Sequence, residues 1–493
     1  MHDYGFWSVL PPVIAIVLAI KTKQVYASLT AGIWLGWVII NDGNIFSGTM
    51  ATLQGLVDTF KSDGNTRTVM FTLLVGALIA FIQKSGGVKG FIIHVSNYLE
   101  KLEAKKAGSN RVFIQFLASA TGILIFVETN ISILTVGTLY RPIFDKLKLS
   151  REKLAYLADS TSSPASILIP FNAWGAFIMS LLIAQGFDKP LNALFSAFVF
   201  NFYPMLAIGL VVYIILTGKD FGLMKKAELR AKNEGKVIAD GSTPMISDDV
   251  LVIEPEDTVT PKARNMIIPI SVMVLMMPAM LIYTGWGGIE NYDQSIFTLI
   301  FEAIGNGSGS EAVLYAVTGA LLVAFIMYWI TGVIKPNEML DLGLKGMSGM
   351  LNMALLMVFA FAIGNLCNEL GTGLYVADVT KSWLSPSLVP AVIFITSSFI
   401  AFSTGTSWGT FAIMIAIAVP MAQSLETNVY LAIAAALGGG VFGDHCSPIS
   451  DTTIISSMAS ASDHIDHVKT QLPYALLAGG ATVILYLVLG MLM

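Results

Sequence analysis

The run Gly438-Gly439-Gly440-Val441-Phe442-Gly443-Asp444-His445-Cys446-Ser447-Pro448-Ile449-Ser450-Asp451-Thr452-Thr453 gathers oxygen-bearing side chains inside an otherwise apolar stretch. Asp444, Ser447, Ser450, Asp451 and Thr452 offer carboxylate and hydroxyl oxygens. A hard cation such as sodium takes such ligands in place of its hydration shell. Carboxylates are costly at membrane depth, so an ion or proton pathway is their default reading there. Glycines 438–440 and Pro448 are expected to break the helix and free backbone carbonyls, as in the cation sites of secondary transporters. Asp444 and Asp451 are seven apart, a spacing that shares a face on an unbroken helix, and two close carboxylates titrate as a pair. His445 is a candidate for pH sensing or proton relay.

Two polar tips face such runs. Ser403-Thr404-Gly405-Thr406-Ser407 divides two short apolar segments, and its Thr404, Thr406 and Ser407 would complete the set around Asp444 and Asp451. In the first half, Glu128, Thr129 and Asn130 divide another such pair, facing Asp159, Thr161, Ser162 and Ser163 ahead of Pro164. Plainer roles stand beside these. Asp444, Asp451 and Asp159 could each cap a helix, Glu128 could pair with a base, and His445 could be a hydrogen-bonded structural residue. Cys446 reads as a small buried side chain. Asp463-His464-Ile465-Asp466-His467 has the composition of a metal cluster but falls in a short loop, where a solvated face is expected. Trp174 and Trp408 read as packing.

Gly443-Asp444-His445-Cys446-Ser447-Pro448-Ile449-Ser450-Asp451-Thr452-Thr453 resembles the signature of the NhaC family of sodium/proton antiporters, and the hydrophobic profile extends the resemblance over nearly the whole chain. The resemblance implies a secondary transporter that exchanges sodium or lithium for protons, with sodium held at Asp444 and Asp451. It implies no cofactor beyond that ion. Relatives of the family also exchange malate and lactate, so a small organic substrate stays open. The paired hairpins are similar, more loosely, to those of the wider ion-transporter superfamily.

The elements that must position these residues are membrane helices. The chain has 493 residues, of which 55% are hydrophobic and 12% charged, about half the charge of a soluble domain. Apolar segments are expected at 6–20, 25–41, 68–84, 111–127, 131–147, 154–186, 191–217, 265–284, 312–333, 347–366, 388–403, 407–424, 428–460 and 470–493. The loops 21–24, 84–111, 141–153, 218–264, 333–346 and 461–469 hold 24 of the 28 Lys and Arg, which marks them as cytoplasmic. Strict alternation of fourteen spans reproduces that split and places both termini outside. Cys367 and Cys446 give no disulfide framework, and no signal peptide is read at the N-terminus.

The halves also match. Asp159-Ser160-Thr161-Ser162-Ser163-Pro164 parallels Asp444-His445-Cys446-Ser447-Pro448, with the prolines 284 apart; Gly86 and Gly371 are 285 apart; the two tips are about 277 apart. With seven segments per half, the second repeat must be inverted. The expectation is an all-α polytopic membrane protein with an inverted-topology repeat of about 7+7 hydrophobic segments, broken helices and re-entrant hairpins at 111–147 and 388–424. Residues 1–217 form the first repeat, 218–264 a flexible cytoplasmic linker, and 265–493 the second repeat. A bacterial cytoplasmic membrane is the expected location, with sodium, protons and the bilayer as partners and no nucleic acid; a homodimer is left open. A passive channel and a membrane enzyme are the remaining classes. No Gly-x-x-x-x-Gly-Lys-Ser/Thr and no nucleophile–base pair supports ATP drive or catalysis.

Overall fold

The computed structural model describes residues 4–22, 24–91, 93–94, 110–126, 129–244, 259–289, 292–381 and 384–492, and these contain helices and no β-strand. Leu10–Thr22 (α1) packs on Val25–Ile40 (α2), and Ile45–Asp58 (α3) and Asp63–Lys84 (α4) follow. Asn110–Leu124 (α5) and Thr129–Lys146 (α6) make the first hairpin. Arg151–Leu168 (α7) and Ala173–Ala184 (α8) form one apolar run bent by 41°. Pro190–Phe198 (α9), Phe202–Thr217 (α10) and Gly222–Glu234 (α11) complete the first half and enter the linker.

The second half runs through Arg264–Gly285 (α12), Ile296–Asn306 (α13), Gly309–Ile330 (α14), Pro336–Gly349 (α15), Leu351–Glu369 (α16) and Thr372–Lys381 (α17). Val389–Thr404 (α18) and Ser407–Ser424 (α19) make the second hairpin. Val429–Cys446 (α20), Asp451–Ser460 (α21) and His464–Leu492 (α22) end the chain. Nine helices among the described residues are long and apolar enough to cross a membrane, or ten with the bent pair. Leu275, Leu322 and Ile484 stand exposed on α12, α14 and α22, as lipid-facing side chains do. The protein is an all-α, multi-pass membrane protein.

Several expected spans differ in length. α1, α2 and α5 have 13, 16 and 15 residues, short of the ~20 that cross a bilayer. The segment 191–217 divides into α9 and α10 at residues 199–201, where the fully buried Asn201 holds the N-cap position of α10 without a side-chain capping bond. The first part of the linker is not loose. Glu228 of α11 accepts the backbone N–H and the hydroxyl of Ser150, both at 2.8 Å, at the start of α7. Arg230 grips Glu152 at 2.9 and 3.0 Å. Residues 245–258 lie outside the described residues.

Glycines 438–440 do not break a helix. α20 runs unbroken through them, and their missing side chains make room for Asn201 at Gly438, for α18 at Gly439 and for Phe411 of α19 at Gly440. A Cβ on Gly439 would sit 2.4 Å from the Phe394 carbonyl oxygen, and one on Gly443 would sit 2.2 Å from that of Ser398. Pro164 likewise lies inside α7, and the first-half break falls later, at residues 169–172.

Element ends recur at an offset of 278 rather than the 284 of the proline match. Arg151 and Val429 begin helices of 18 residues, and both are followed by four-residue breaks. The capping residues Ser150 and Asn428, and Asn172 and Ser450, keep the same interval. Pro164 therefore has no counterpart in Pro448. The match of Gly86 with Gly371 does coincide in structure: both follow long helices and both have φ +67°.

Candidate functional site

Two breaks and two hairpin tips meet in the interior. In the second half, α18 ends when Gly405 turns left-handed at φ +69°, its N–H bonded to the Ala401 carbonyl at 2.8 Å. Gly405 is needed there twice over, since a Cβ would also lie 2.6 Å from the Ile449 carbonyl of the facing break. Ser447, in that break, donates to the Phe402 carbonyl at 2.7 Å. The first half repeats the device. Asn172, in its break, donates to the Phe126 carbonyl at 3.0 Å, and its Oδ1 caps α8 through Gly175 N–H at 3.0 Å. Each tip is thus tied to the break it faces by a side chain on a carbonyl.

Asp444 lies two residues before the end of α20, 3% exposed. Its Oδ2 accepts from Ser407 Oγ at 2.9 Å, and its Oδ1 has no partner. The C-terminal ends of α18 and α20 both come to this region, so their carbonyl ends favour a cation. Asp444 is not a helix cap. Asp451 stands on the other side of the break as the first residue of α21, so the two carboxylates do not share one helix face. Asp451 is exposed, and its Oδ1 accepts only the neighbouring Thr452 N–H at 2.9 Å. Its position suits a first-turn acid as well as an ion ligand. Asp444, Asp451 and Asp159 lie within electrostatic reach of one another.

The other expected ligands divide. Ser450 holds the N-cap position of α21 without a side-chain capping bond, and its hydroxyl is 3.1 Å from that of Thr452. Thr404 turns its hydroxyl back to the Ile400 carbonyl at 2.8 Å. Thr404 and Thr406 face a small cavity against Ala15, Ile16 and Ala19 of α1, away from Asp444. The Pro448 carbonyl is not free for an ion, because it accepts His464 Nε2 at 2.6 Å. No group of three His, Cys, Asp or Glu among the described residues is placed to hold a metal ion. A cation at Asp444 would have to complete its shell from hydroxyls, carbonyls and water.

The first-half set separates too. Ser162 pairs with Ser132 at 2.7 Å and Thr129 with Ser166 at 3.2 Å, close under the tip. Asn130 Oδ1 and Ser163 Oγ are buried without partners. Glu128 lies outside the described residues. Thr161 bonds its own helix at the Leu157 carbonyl, 2.6 Å away. Asp159 does not face this tip and caps nothing. It sits in the middle of α7, fully buried, and looks into the second half. There its Oδ2 accepts from Gln471 Nε2 at 2.7 Å and from Thr453 at 3.4 Å, while Oδ1 has no partner. His445 Nε2 is 4.0 Å from Asp159 Oδ2. The ring of His445 is held on both sides, by Ser160 at 2.9 Å and Tyr203 at 2.6 Å, as a hydrogen-bonded interior histidine would be.

Sequence reasoning missed Gln471, His467, Tyr203 and Ser132. His467 was read with a solvated loop and is instead fully buried. The signal that could have found it is the i, i+4 spacing of His467 and Gln471 on one helix face. Trp174 and Trp408 pack at 5.4 Å between the halves, together with Phe177 and Phe411. Cys367 and Cys446 are buried free thiols.

Comparison with known proteins follows this geometry. Residues 184–491 match the Na+/H+ antiporter family. An uncharacterized protein of Haemophilus influenzae is 32% identical over 98% of this chain and 91% of its own length. The malate-2H(+)/Na(+)-lactate antiporter of Bacillus subtilis is 33% identical over 22% of this chain and 23% of its own. Among solved structures, the YdaH transporter of Alcanivorax borkumensis has a TM-score of 0.54 at 15% identity, over 90% of this chain and 88% of that one. The fold and the family are those of transporters rather than enzymes, and the chain belongs to the Na+/H+ antiporter family.

Proposed function

We propose that the protein is a secondary antiporter that carries sodium or lithium outward in exchange for protons, across the bacterial cytoplasmic membrane. The observation that carries this reading is the free, buried Oδ1 of Asp444, beside Ser407 and an unwound segment. A buried carboxylate left half-served is unfavourable unless an ion or a proton completes it. Sodium serves the ionised form and a proton the neutral one. If the unoccupied, ionised site cannot reorient, one ion is exchanged for the other. Residues 1–217 and 265–493 would act as two inverted halves that rock about the site, joined by the linker 218–264, whose Glu228 and Arg230 hold the start of α7.

A second reading keeps the cation site and adds an organic acid or amino acid as cargo. It is favoured by the similarity of part of the chain to the malate-2H(+)/Na(+)-lactate antiporter. The test is made in proteoliposomes with an imposed proton gradient and an internal pH dye. Sodium or lithium added alone should dissipate the gradient, and potassium should not. Silence with all three cations, followed by flux when malate, lactate or an amino acid is supplied, would replace the first reading by the second.

A further inference from the structure

A chain of buried polar groups leads from Asp159 to the basic face of the protein without touching Asp444. Gln471 Nε2 donates to Asp159 Oδ2 and to the His445 carbonyl, each at 2.7 Å. Both partners accept, so the amide orientation is fixed and Gln471 Oε1 must face His467. His467 Nε2, 2.9 Å away, therefore carries a hydrogen. At the far end His464 Nε2 meets the Pro448 carbonyl at 2.6 Å and must carry one too. The two Nδ1 atoms converge on one hydroxyl, Ser457 Oγ, at 3.1 Å from His464 and 2.9 Å from His467. The same hydroxyl is 2.9 Å from the Thr453 carbonyl.

The hydrogens can be counted. With both rings neutral, each Nδ1 is a bare acceptor, while the Thr453 carbonyl already takes the Ser457 N–H within α21. Ser457 has one hydroxyl hydrogen for the two rings. Ser457 and His467 are fully buried, so an unserved acceptor there is costly. One proton on either Nδ1 changes the count: that ring donates to Ser457, and Ser457 donates to the other ring's Nδ1, leaving neither unserved.

We propose that His464, Ser457 and His467 form the proton-loading site of the transporter, separate from the cation site at Asp444. The inference rests on the reading that the protein exchanges a cation for protons. A proton arrives from solvent at His464, which is half-buried as the first residue of α22, in a segment predicted from sequence to be a cytoplasmic loop. It is held between the two Nδ1 atoms through Ser457. Its counter-charge is Asp159, which faces His467 across Gln471. The surrounding charges are accounted for. Glu152 on α7 is paired with Arg230 of α11, and Arg151 with Asp145. Lys153 is paired with Asp220. Asp463 just before α22 and Asp466 on its first turn accept from Thr243 and Ser242. From α20 comes His445, held by Ser160 and by Tyr203 of α10, and Lys469 lies beyond Asp466 on α22 itself. Among the described residues, Asp159 is thus the buried carboxylate that faces His467 with no cation of its own.

The test is 15N NMR of histidine-labelled protein in nanodiscs, titrated between about pH 4 and 9, with H464Q and H467Q to assign the rings. One proton should be taken up jointly by the two rings, with an Nδ1–H signal in the charged state. S457A removes the shared acceptor and should weaken that uptake about tenfold, while S457T, which keeps the hydroxyl, should restore it. Two rings that stay neutral with hydrogen on Nε2 throughout, or S457A titrating like wild type, overturn the proposal. The readout needs no transport, so it stands apart from the sodium assay. In proteoliposomes that do respond to sodium, H467Q should move the pH midpoint of flux and leave half-saturation by sodium at optimal pH within about twofold. Loss of sodium affinity with an unmoved pH midpoint would place His467 with the cation site and refute the separation.

Discussion

Replacing Asp444 by Asn removes one charge and little else. The amide keeps an oxygen for the Ser407 hydroxyl, now 2.9 Å from Asp444 Oδ2, and puts an NH2 group where the unpartnered Oδ1 stands. Folding should hardly change, because a buried charge is exchanged for a neutral group of the same shape. Ion binding should change greatly. A cation within ~4 Å of a carboxylate gains roughly 4 kcal/mol at an effective dielectric constant of about 20. That is roughly a thousandfold in affinity. Asp444→Asn should therefore give no sodium-dependent proton flux at any sodium concentration that liposomes tolerate, with a melting temperature and elution profile like wild type. Ser407→Ala removes one charge-assisted hydrogen bond and should weaken sodium about tenfold. Sodium-driven flux near the wild-type rate in well-folded Asp444→Asn would refute the reasoning, because among the described residues no other carboxylate of the set is buried beside a tip hydroxyl.

Gly405→Ala forces a side chain into a left-handed residue and to within 2.6 Å of the Ile449 carbonyl; it should cost about 1–2 kcal/mol and lower the flux, read by thermal unfolding and the liposome assay. Asn172→Ala should cost about 1–2 kcal/mol for the lost cap of α8 and release the Phe126 carbonyl, measurable as faster amide exchange at the first tip. Glu228→Ala leaves the Ser150 N–H without its acceptor and should expose the linker to protease while the helices stay folded. The linker also responds to acid through Asp463, in the turn before α22. Partial burial opposes its ionisation, but N–H groups of Asp466, Thr243 and Ile465 and the Thr243 hydroxyl hold its carboxyl below the usual value. Its contribution is present above the ordinary aspartate range and is lost as pH falls through the lowered value. Protease cutting near Thr243 should rise on acidification below about pH 4, and Asp463→Asn should show the acid pattern already at neutral pH.

The sequence carried the membrane class, the hairpins and the Asp444 motif, because each rests on local chemistry: apolar length, a polar tip between two apolar runs, a carboxylate among hydroxyls. It misplaced what depends on packing. Glycines 438–440 have the composition of a helix breaker, yet in a continuous α20 they make room for Asn201, α18 and Phe411, which is a property of the neighbours. Pro164 matched Pro448 by eye, but element ends place the repeat at another offset, and only Pro448 stands in a break. Asp159 was grouped with the serines that follow it. Its side chain in fact meets Gln471, 312 positions away, a pairing that no local pattern can encode. His467 went unread for the converse reason: its local neighbours Asp463 and Asp466 are polar, and its burial comes from α21 and α7 packing over it.

These misplacements share a physical consequence. A carboxylate at the end of α20 and another in the middle of α7 are served by different partners, Ser407 for Asp444 and Gln471 for Asp159. The segment 447–450 touches both sets. Ser447 ties it to the α18 tip through the Phe402 carbonyl, and Pro448 ties it to His464. A proton on the histidine pair strengthens the His464 bond to Pro448, since a charged donor holds a carbonyl about twice as firmly as a neutral one. A cation at Asp444 needs the same segment to settle around it. Occupation of one set then sets the position of the segment for the other, which is a coupling between two sites and must be reciprocal. Sodium should therefore lower the proton affinity of the histidine pair by the factor by which protonation lowers sodium affinity. Equal factors in sodium titrations at several pH values and in NMR titrations at several sodium concentrations would bear out the link through Pro448. A sodium affinity that ignores the state of His464 and His467 would leave the two sites independent.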